Sequence, residues 1–288
     1  VCNGNIMRAA LFMIQDHERL AKIITKAQNA LSRYLTGFGA NGGTAEGLGY
    51  WSYGFGHYVH AGQLLNAYTD KKLTLMEAPI VREIALFPMR TELSAYIYPS
   101  FSDSHQHYQF STGLLCYLAD ELEAPSLRHF AAARMPDEFS VHDFQSLFEQ
   151  THITKLPEEK VTFQHDPFVY LGGIEWMIVR NDQQFVLAAK GGSNHEPHNH
   201  NDVGNFIVHH QDESLIVDLG APVYDRGFFS GKRYTYLAAR SMGHSVPLVN
   251  GYEQHAGGGD TKAQTVVTRR GGETTMEINM TAAYPKEA

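Results

Sequence analysis

The chain has 288 residues, 43% hydrophobic and 19% charged, with 26 Gly, 11 Pro and two cysteines, Cys2 and Cys116. That length supports one large core or two ordinary ones, and the composition excludes collagen-like and low-complexity disordered chains. A formal charge of −8 removes the bulk electrostatic case for a nucleic-acid partner, and no apolar run reaches the ~20 residues that span a bilayer.

The first half has helical periodicity. An apolar segment over 6–14 is followed, from a candidate N-cap at Asp16, by Leu20, Ile23, Ile24, Ala27, Leu31, Tyr34 and Leu35 at helical spacing. The glycine-rich stretch 37–43 ends that helix. Further helices are predicted over 58–68, 78–93 with a break or kink at Pro88, 111–121, 126–134 and 141–150. Helix pairs joined by long loops predict an α/α array. After a polar linker at 154–160 the pattern turns to strands: 168–171, 174–179, 185–189, 206–209, 215–217, 246–249 and 275–280. The expected class is α + β, two domains, with helices first and antiparallel β second, divided near residue 155 into 1–155 and 156–288. Val1 opens inside a helical pattern and Ala288 follows a strand pattern, so the chain reads as an internal piece of a longer protein.

Sixteen histidines are the unusual count. They matter where they cluster, because histidine is both a common metal ligand and a general acid–base group. Residues 194–206 (Asn-His-Glu-Pro-His-Asn-His-Asn-Asp-Val-Gly-Asn-Phe) hold three histidines and two carboxylates in a predicted loop between strands. Such polar groups need partners to offset desolvation. His198 and His200 share a face if the backbone is extended. With Asp218 at the end of 215–217 and His244 ahead of 246–249, two His and one Asp from three strands would make an N/N/O zinc shell. A polar turn with surface histidines is the alternative.

Two other segments stand out. Residues 46–60 interleave glycines with Tyr50, Trp51, Tyr53 and His57, as a sugar-stacking platform would; packing of helix ends accounts for the composition equally well. His57 and His60 share a helix face. Residues 96–108 form a long loop dense in Tyr, His and Ser, either functional or simply solvated. A phosphate-binding glycine loop, a nucleophile elbow and an H-E-x-x-H motif are all missing from the sequence.

Taken in order, Glu46-Gly-Leu-Gly-Tyr-Trp-Ser-Tyr-Gly54, Pro99-Ser-Phe-Ser-Asp-Ser104 and Pro197-His-Asn-His-Asn-Asp-Val-Gly204 resemble the heparinase II/III-like polysaccharide lyases. The Gly-Tyr-Trp-Ser-Tyr-Gly-Phe-Gly-His run is most similar to the branch of exo-acting oligoalginate and heparin lyases. The resemblance implies a bacterial enzyme, periplasmic or cytoplasmic, with a partial α/α toroid followed by an antiparallel β-sandwich. It implies β-elimination on an acidic polysaccharide or oligosaccharide, alginate or heparin/heparan sulfate, with no nucleic-acid or membrane partner.

Carried over by position, His198 matches the β-domain catalytic histidine, and His200, Asp218 and His244 match ligands of a structural Zn2+. His57 matches the toroid histidine that neutralises the uronate carboxylate or shares proton transfer. Tyr108 or Tyr98 is the implied catalytic tyrosine, with Tyr108 favoured. Glu46, Tyr50, Trp51, Tyr53, His60 and Asn199 are implied substrate contacts. Two other readings compete. A cupin-type metalloenzyme would share Gly192 and His198-x-His200, but the glutamate expected after His200 is absent. A non-catalytic glycan-binding or structural protein would keep the zinc ligands alone.

Overall fold

The computed structural model describes residues 1–136, 151–153, 156, 161–256 and 261–288. The chain forms two compact units that interleave along the sequence. One comprises Val1–Gly42, Tyr50–Met89 and Gln109–Gln164; the other comprises Gly43–Gly49, Arg90–Tyr108 and His165–Ala288. The predicted helix at 141–150 and most of the predicted linker lie outside the described residues.

In the helical unit, α1 (Cys2–Met13) packs on α2 (His17–Leu35) and α4 (Gly56–Tyr68). Asp16 caps α2 by accepting from the Arg19 amide, and Leu20, Ile24, Ala27, Leu31 and Leu35 bury one stripe. A helical turn, α3 (Leu48–Tyr50), and a π-helical turn (Trp51–Phe55) lead into α4, which is apolar on most sides and correspondingly enclosed. The helix expected over 78–93 is two: α5 (Pro79–Ala85) and α6 (Phe87–Thr91). The break precedes Pro88, because a proline lacking an N–H is tolerated in a first turn but not in a helix interior. α7 (Thr112–Glu121), capped by Ser111, packs on α8 (Pro125–Ala133). Cys2 and Cys116 are free thiols, and burial pushes that of Cys116 up to about 11, so it stays protonated and inert.

The second unit is built on an antiparallel meander, β1 (Phe168–Leu171), β2 (Trp176–Arg180), β3 (Phe185–Lys190), β4 (Phe206–His210) and β5 (Glu213–Ile216). Val169, Ile178, Ala188 and Ile207 form one buried row across β1–β4. Phe168, Val179, Leu187, Val208 and Ile216 run along the opposite face, where Leu187 and Ile216 are exposed. The segment 90–108 folds back on itself, with the Tyr98 amide donating to the Gln106 carbonyl and the Tyr108 amide to Tyr96. It docks on the meander through Phe101, edge-on to Trp176, and through the Arg180 guanidinium, which donates to the Glu92 carbonyl. A hairpin of β6 (Gln264–Arg270) and β7 (Glu273–Asn279) turns at Gly271-Gly272, both at positive φ.

Two strand expectations are corrected. Residues 246–249 form no strand and make a single bridge, Val249 to Tyr252. β6, which was not predicted, pairs along the full length of β7. Among the described residues no helix is long and apolar enough to cross a membrane.

His209 on β4 is buried, with its ring nitrogens on Ser94 Oγ, Ser214 Oγ and the Gln211 carbonyl. Burial holds its imidazole below the ordinary value of 6.5. The unfolded chain therefore binds more protons than the folded one as pH falls through and below that value, and stability falls with it. The urea midpoint should drop between pH 7 and pH 5, and drop less in His209→Gln. Equal drops in the two proteins would exclude His209 as the source.

Candidate functional site

The loop 191–205 between β3 and β4 is fastened at its base. The Gly204 amide donates to the Lys190 carbonyl and the Lys190 amide to that of Asn205. Lys190 itself is fully buried; its ammonium lies 2.7 Å from Asp202 Oδ1 and 3.8 Å from Glu196 Oε2. Burial pulls against that charge, but the two carboxylates outweigh it and raise the lysine above its ordinary value. Gly204 sits at φ +86, a left-handed conformation that glycine adopts without the strain a side chain would bring.

Alternate residues of the 197–204 motif thus divide the work. Asp202 and Gly204 hold the loop, and His198 and His200 are what it presents. His198 is not extended, as the shared-face expectation required, but left-handed at φ +56. The two imidazoles converge all the same, on a carboxylate the sequence reading passed over. Asp103, buried in the loop 90–108, accepts from His198 Nδ1 at 2.8 Å, from His200 Nε2 at 2.9 Å and from Arg233 Nη2 at 2.8 Å. Burial alone would raise the Asp103 carboxyl. The hydrogen bonds from His198 and His200 and the charge of Arg233 outweigh it and hold the group far below the usual carboxylate range. The His200 side chain is fully enclosed, whereas 26% of that of His198 is exposed.

Beside this carboxylate lie the three expected metal ligands. One nitrogen each of His200 and His244 and one oxygen of Asp218 fall within 4.8 Å of one another. His200 Nδ1 and His244 Nε2 are buried and have no hydrogen-bond partner among the described residues. Two orphaned imidazole nitrogens and a carboxylate are a donor set that suits zinc. The ligands do not come from three strands. His200 is in the loop, Asp218 lies two residues beyond β5, and His244 follows a 3₁₀ turn at Ser241–Gly243. Asp218 is itself held by Asn205 Nδ2, by the Gly220 amide at 2.7 Å and by His244 Nδ1 at 2.6 Å. Burial lowers the His244 imidazole, but the hydrogen bond to Asp218 and its charge prevail and raise it.

The remaining expected residues divide between the units. In the β-rich unit, Glu46 is half-buried, which raises its carboxyl against the opposing pull of His198. Tyr98 is 1% exposed and its hydroxyl donates to Glu92 Oε1. Tyr108 is part-exposed, its hydroxyl accepting from the His105 amide at 2.8 Å. Asn199 is buried and its carbonyl accepts from Arg233 Nε.

In the helical unit, Tyr53 is exposed and meets the half-buried His57 edge-on, while Tyr50 is half-buried. Trp51 is enclosed completely, its indole N–H donating to the Ile84 carbonyl at 2.7 Å, and a ring so placed packs helices rather than sugars. His60 is likewise buried, with Nδ1 on Gln63. Sequence reasoning missed Asp103, Arg233 and Lys190. The aspartate was visible only as one of three residues in Ser102-Asp103-Ser104.

The family model described as Heparinase II/III-like, C-terminal matches residues 165–288. No curated protein matches the chain by sequence. Among solved structures, the chain is similar to a heparan sulfate lyase, HepC, from Pedobacter heparinus, with a TM-score of 0.63 and 15% identity over 91% of this chain and 38% of that one. It is similar to a heparinase III gene product with methylated lysines (TM-score 0.63, 13% identity, 92% of this chain and 40% of that one) and to a further heparinase III structure (0.60, 15%, 93% and 40%). The chain spans about two fifths of the length of these structures and shares their fold over nearly all of its own.

Proposed function

We propose, from the match of residues 165–288 to the Heparinase II/III-like, C-terminal model, that the protein is a polysaccharide lyase that cleaves uronic-acid glycans by β-elimination. The helical unit would be part of an α/α toroid and the β-rich unit part of a β-sandwich. The observation that carries the reading is the pose of His198. Its Nδ1 is anchored on a buried carboxylate while a quarter of its side chain stays open to solvent. In the proposed step His198 takes the C5 proton, the C4–O bond breaks as the C4=C5 double bond forms, and a hydroxyl protonates the departing oxygen. Tyr108 suits that hydroxyl and Tyr98 does not, since a side chain 1% exposed and bonded to Glu92 is out of a substrate's reach. Burial holds His57 below its ordinary value. A neutral imidazole would meet a uronate carboxylate as an N–H donor, not as a cation.

His200, Asp218 and His244 would hold Zn2+, which would stiffen the loop bearing His198. Purified protein should contain about one zinc per chain, lost in His200→Ala, by elemental analysis. A native protein without metal would remove the zinc from the proposal. For substrate, the similarity to structures of a heparan sulfate lyase and of heparinase III makes heparan sulfate and heparin the first polymers to try, with alginate, chondroitin and hyaluronan beside them. Ultraviolet absorbance of unsaturated ends should rise with at least one of the five. No rise with any of them would refute the lyase reading.

A further inference from the structure

We infer that Asp103 is the positioning residue of this site, a single carboxylate that sets the tautomers of His198 and His200 together; the inference deepens the lyase reading and rests on it for its kinetic consequence. An ionised carboxylate only accepts, so each imidazole nitrogen facing it carries a hydrogen. His198 Nδ1 meets Oδ2, which makes Nε2 the basic nitrogen of that ring. His200 Nε2 meets Oδ1, which turns the lone pair of its buried Nδ1 toward Asp218 and His244. The same group therefore prepares one histidine to take a proton and the other to ligate.

Three features show that Asp103 is built for this and is not an incidental neighbour. Its side chain is fully enclosed, so water cannot substitute for its partners. Its countercharge is fixed: Arg233 donates to Oδ1, donates from Nε to the Asn199 carbonyl, and lies 4.1 Å over the Phe228 ring. The loop that carries it is anchored on both sides of residue 103. Ser100 Oγ donates to the Asp218 carbonyl at 3.0 Å, and the Ala221 amide donates to the Ser104 carbonyl at 2.9 Å. Both anchors join Asp103 to the segment that bears the expected ligand Asp218. His198, in turn, sits in a left-handed conformation that is strained for a non-glycine residue, and the bond to Asp103 helps hold it there.

The two oxygens are not equivalent, and this makes the test specific. Among the described residues Oδ1 receives His200 and Arg233, and Oδ2 receives His198. In Asp103→Asn the remaining oxygen should stay with the two donors and the amide NH₂ should face His198, forcing it into the Nε2–H tautomer. The experiment is imidazole ¹⁵N NMR on the full-length protein, wild type and D103N, with His198→Gln to assign the signal and with zinc content and kcat and KM measured alongside.

The wild type should show His198 as the Nδ1–H tautomer. D103N should invert it, keep its zinc, and lose kcat on the order of 10²–10⁴-fold with little change in KM. A wild-type His198 that is not Nδ1–H overturns the inference whether or not the variant folds. So does a D103N protein that folds and keeps kcat within about threefold of wild type, or one whose lost kcat returns on adding zinc. If the tautomers behave as expected but no uronate polymer yields unsaturated ends, the lyase reading fails and the positioning role stands.

Discussion

His198→Ala is expected to reduce kcat for elimination by about 10²–10⁴-fold, the range for losing a positioned general base, with unchanged zinc content and thermal unfolding. The structural side of this expectation follows from exposure. His198 is partly open to solvent, and the loop that bears it stays fastened at its base by Lys190, Asp202 and Gly204; the buried Asp103 keeps His200 and Arg233 as donors when His198 is removed. Tyr108→Phe should give a loss of similar size if the hydroxyl protonates the leaving oxygen. Tyr98→Phe should cost stability more than turnover, because it strips a partner from the buried Glu92. The assay is the same ultraviolet one. A His198→Ala protein that turns over at the wild-type rate would remove this residue from the chemistry, and a Tyr98→Phe loss exceeding that of Tyr108→Phe would reverse the choice of tyrosine.

Lys190→Met should destabilise the β-rich unit by about 3–5 kcal/mol, the cost of leaving a buried charge without its partner. Lys190 and Asp202 have side chains 1% and 0% exposed and sit 2.7 Å apart, so neither can recover its lost hydration. Glu196, whose carboxyl burial already raises against the pull of Lys190, would also lose its cation. The double variant Lys190→Met/Asp202→Leu should recover part of the loss, since one uncompensated charge is then gone. Urea unfolding can report on this unit alone. The chain has two tryptophans, one in each unit, so a Trp51→Phe background leaves Trp176 as the fluorophore. A Lys190→Met unfolding free energy within about 0.5 kcal/mol of the parent would show that the pair is not what holds the loop.

What the sequence made legible was local. α2 was readable because its cap and its apolar stripe lie within one stretch of chain, and β1 to β5 because short apolar runs alternate with turn residues. β6 had a usable signal that was overlooked. Gly271-Gly272 between two alternating segments is a two-residue hairpin turn, and one strand of a hairpin implies the other. The error at 246–249 was of the opposite kind: an apolar run has strand propensity, but a strand exists only where an edge is available to pair with it. Trp51 shows the limit for aromatics, because composition cannot say whether an indole faces solvent or, as here, a neighbouring helix.

The sequence by itself determined the α + β class, the ordered motifs, and the residue types of the candidate site: His198, His200, Asp218 and His244. Residue type and spacing suffice for His198 and His200 because a signature loop and its glycine are set by backbone geometry over a few residues, and Asp218 and His244 were legible from their places beside apolar runs and through the family resemblance. Only the tertiary structure decided how they work together. Asp103 stands 95 positions before His198 and 130 before Arg233, and no periodicity links residues that far apart. Their meeting is set by how the loop 90–108 docks on the meander, and burial there makes one carboxylate the partner of two histidines and an arginine.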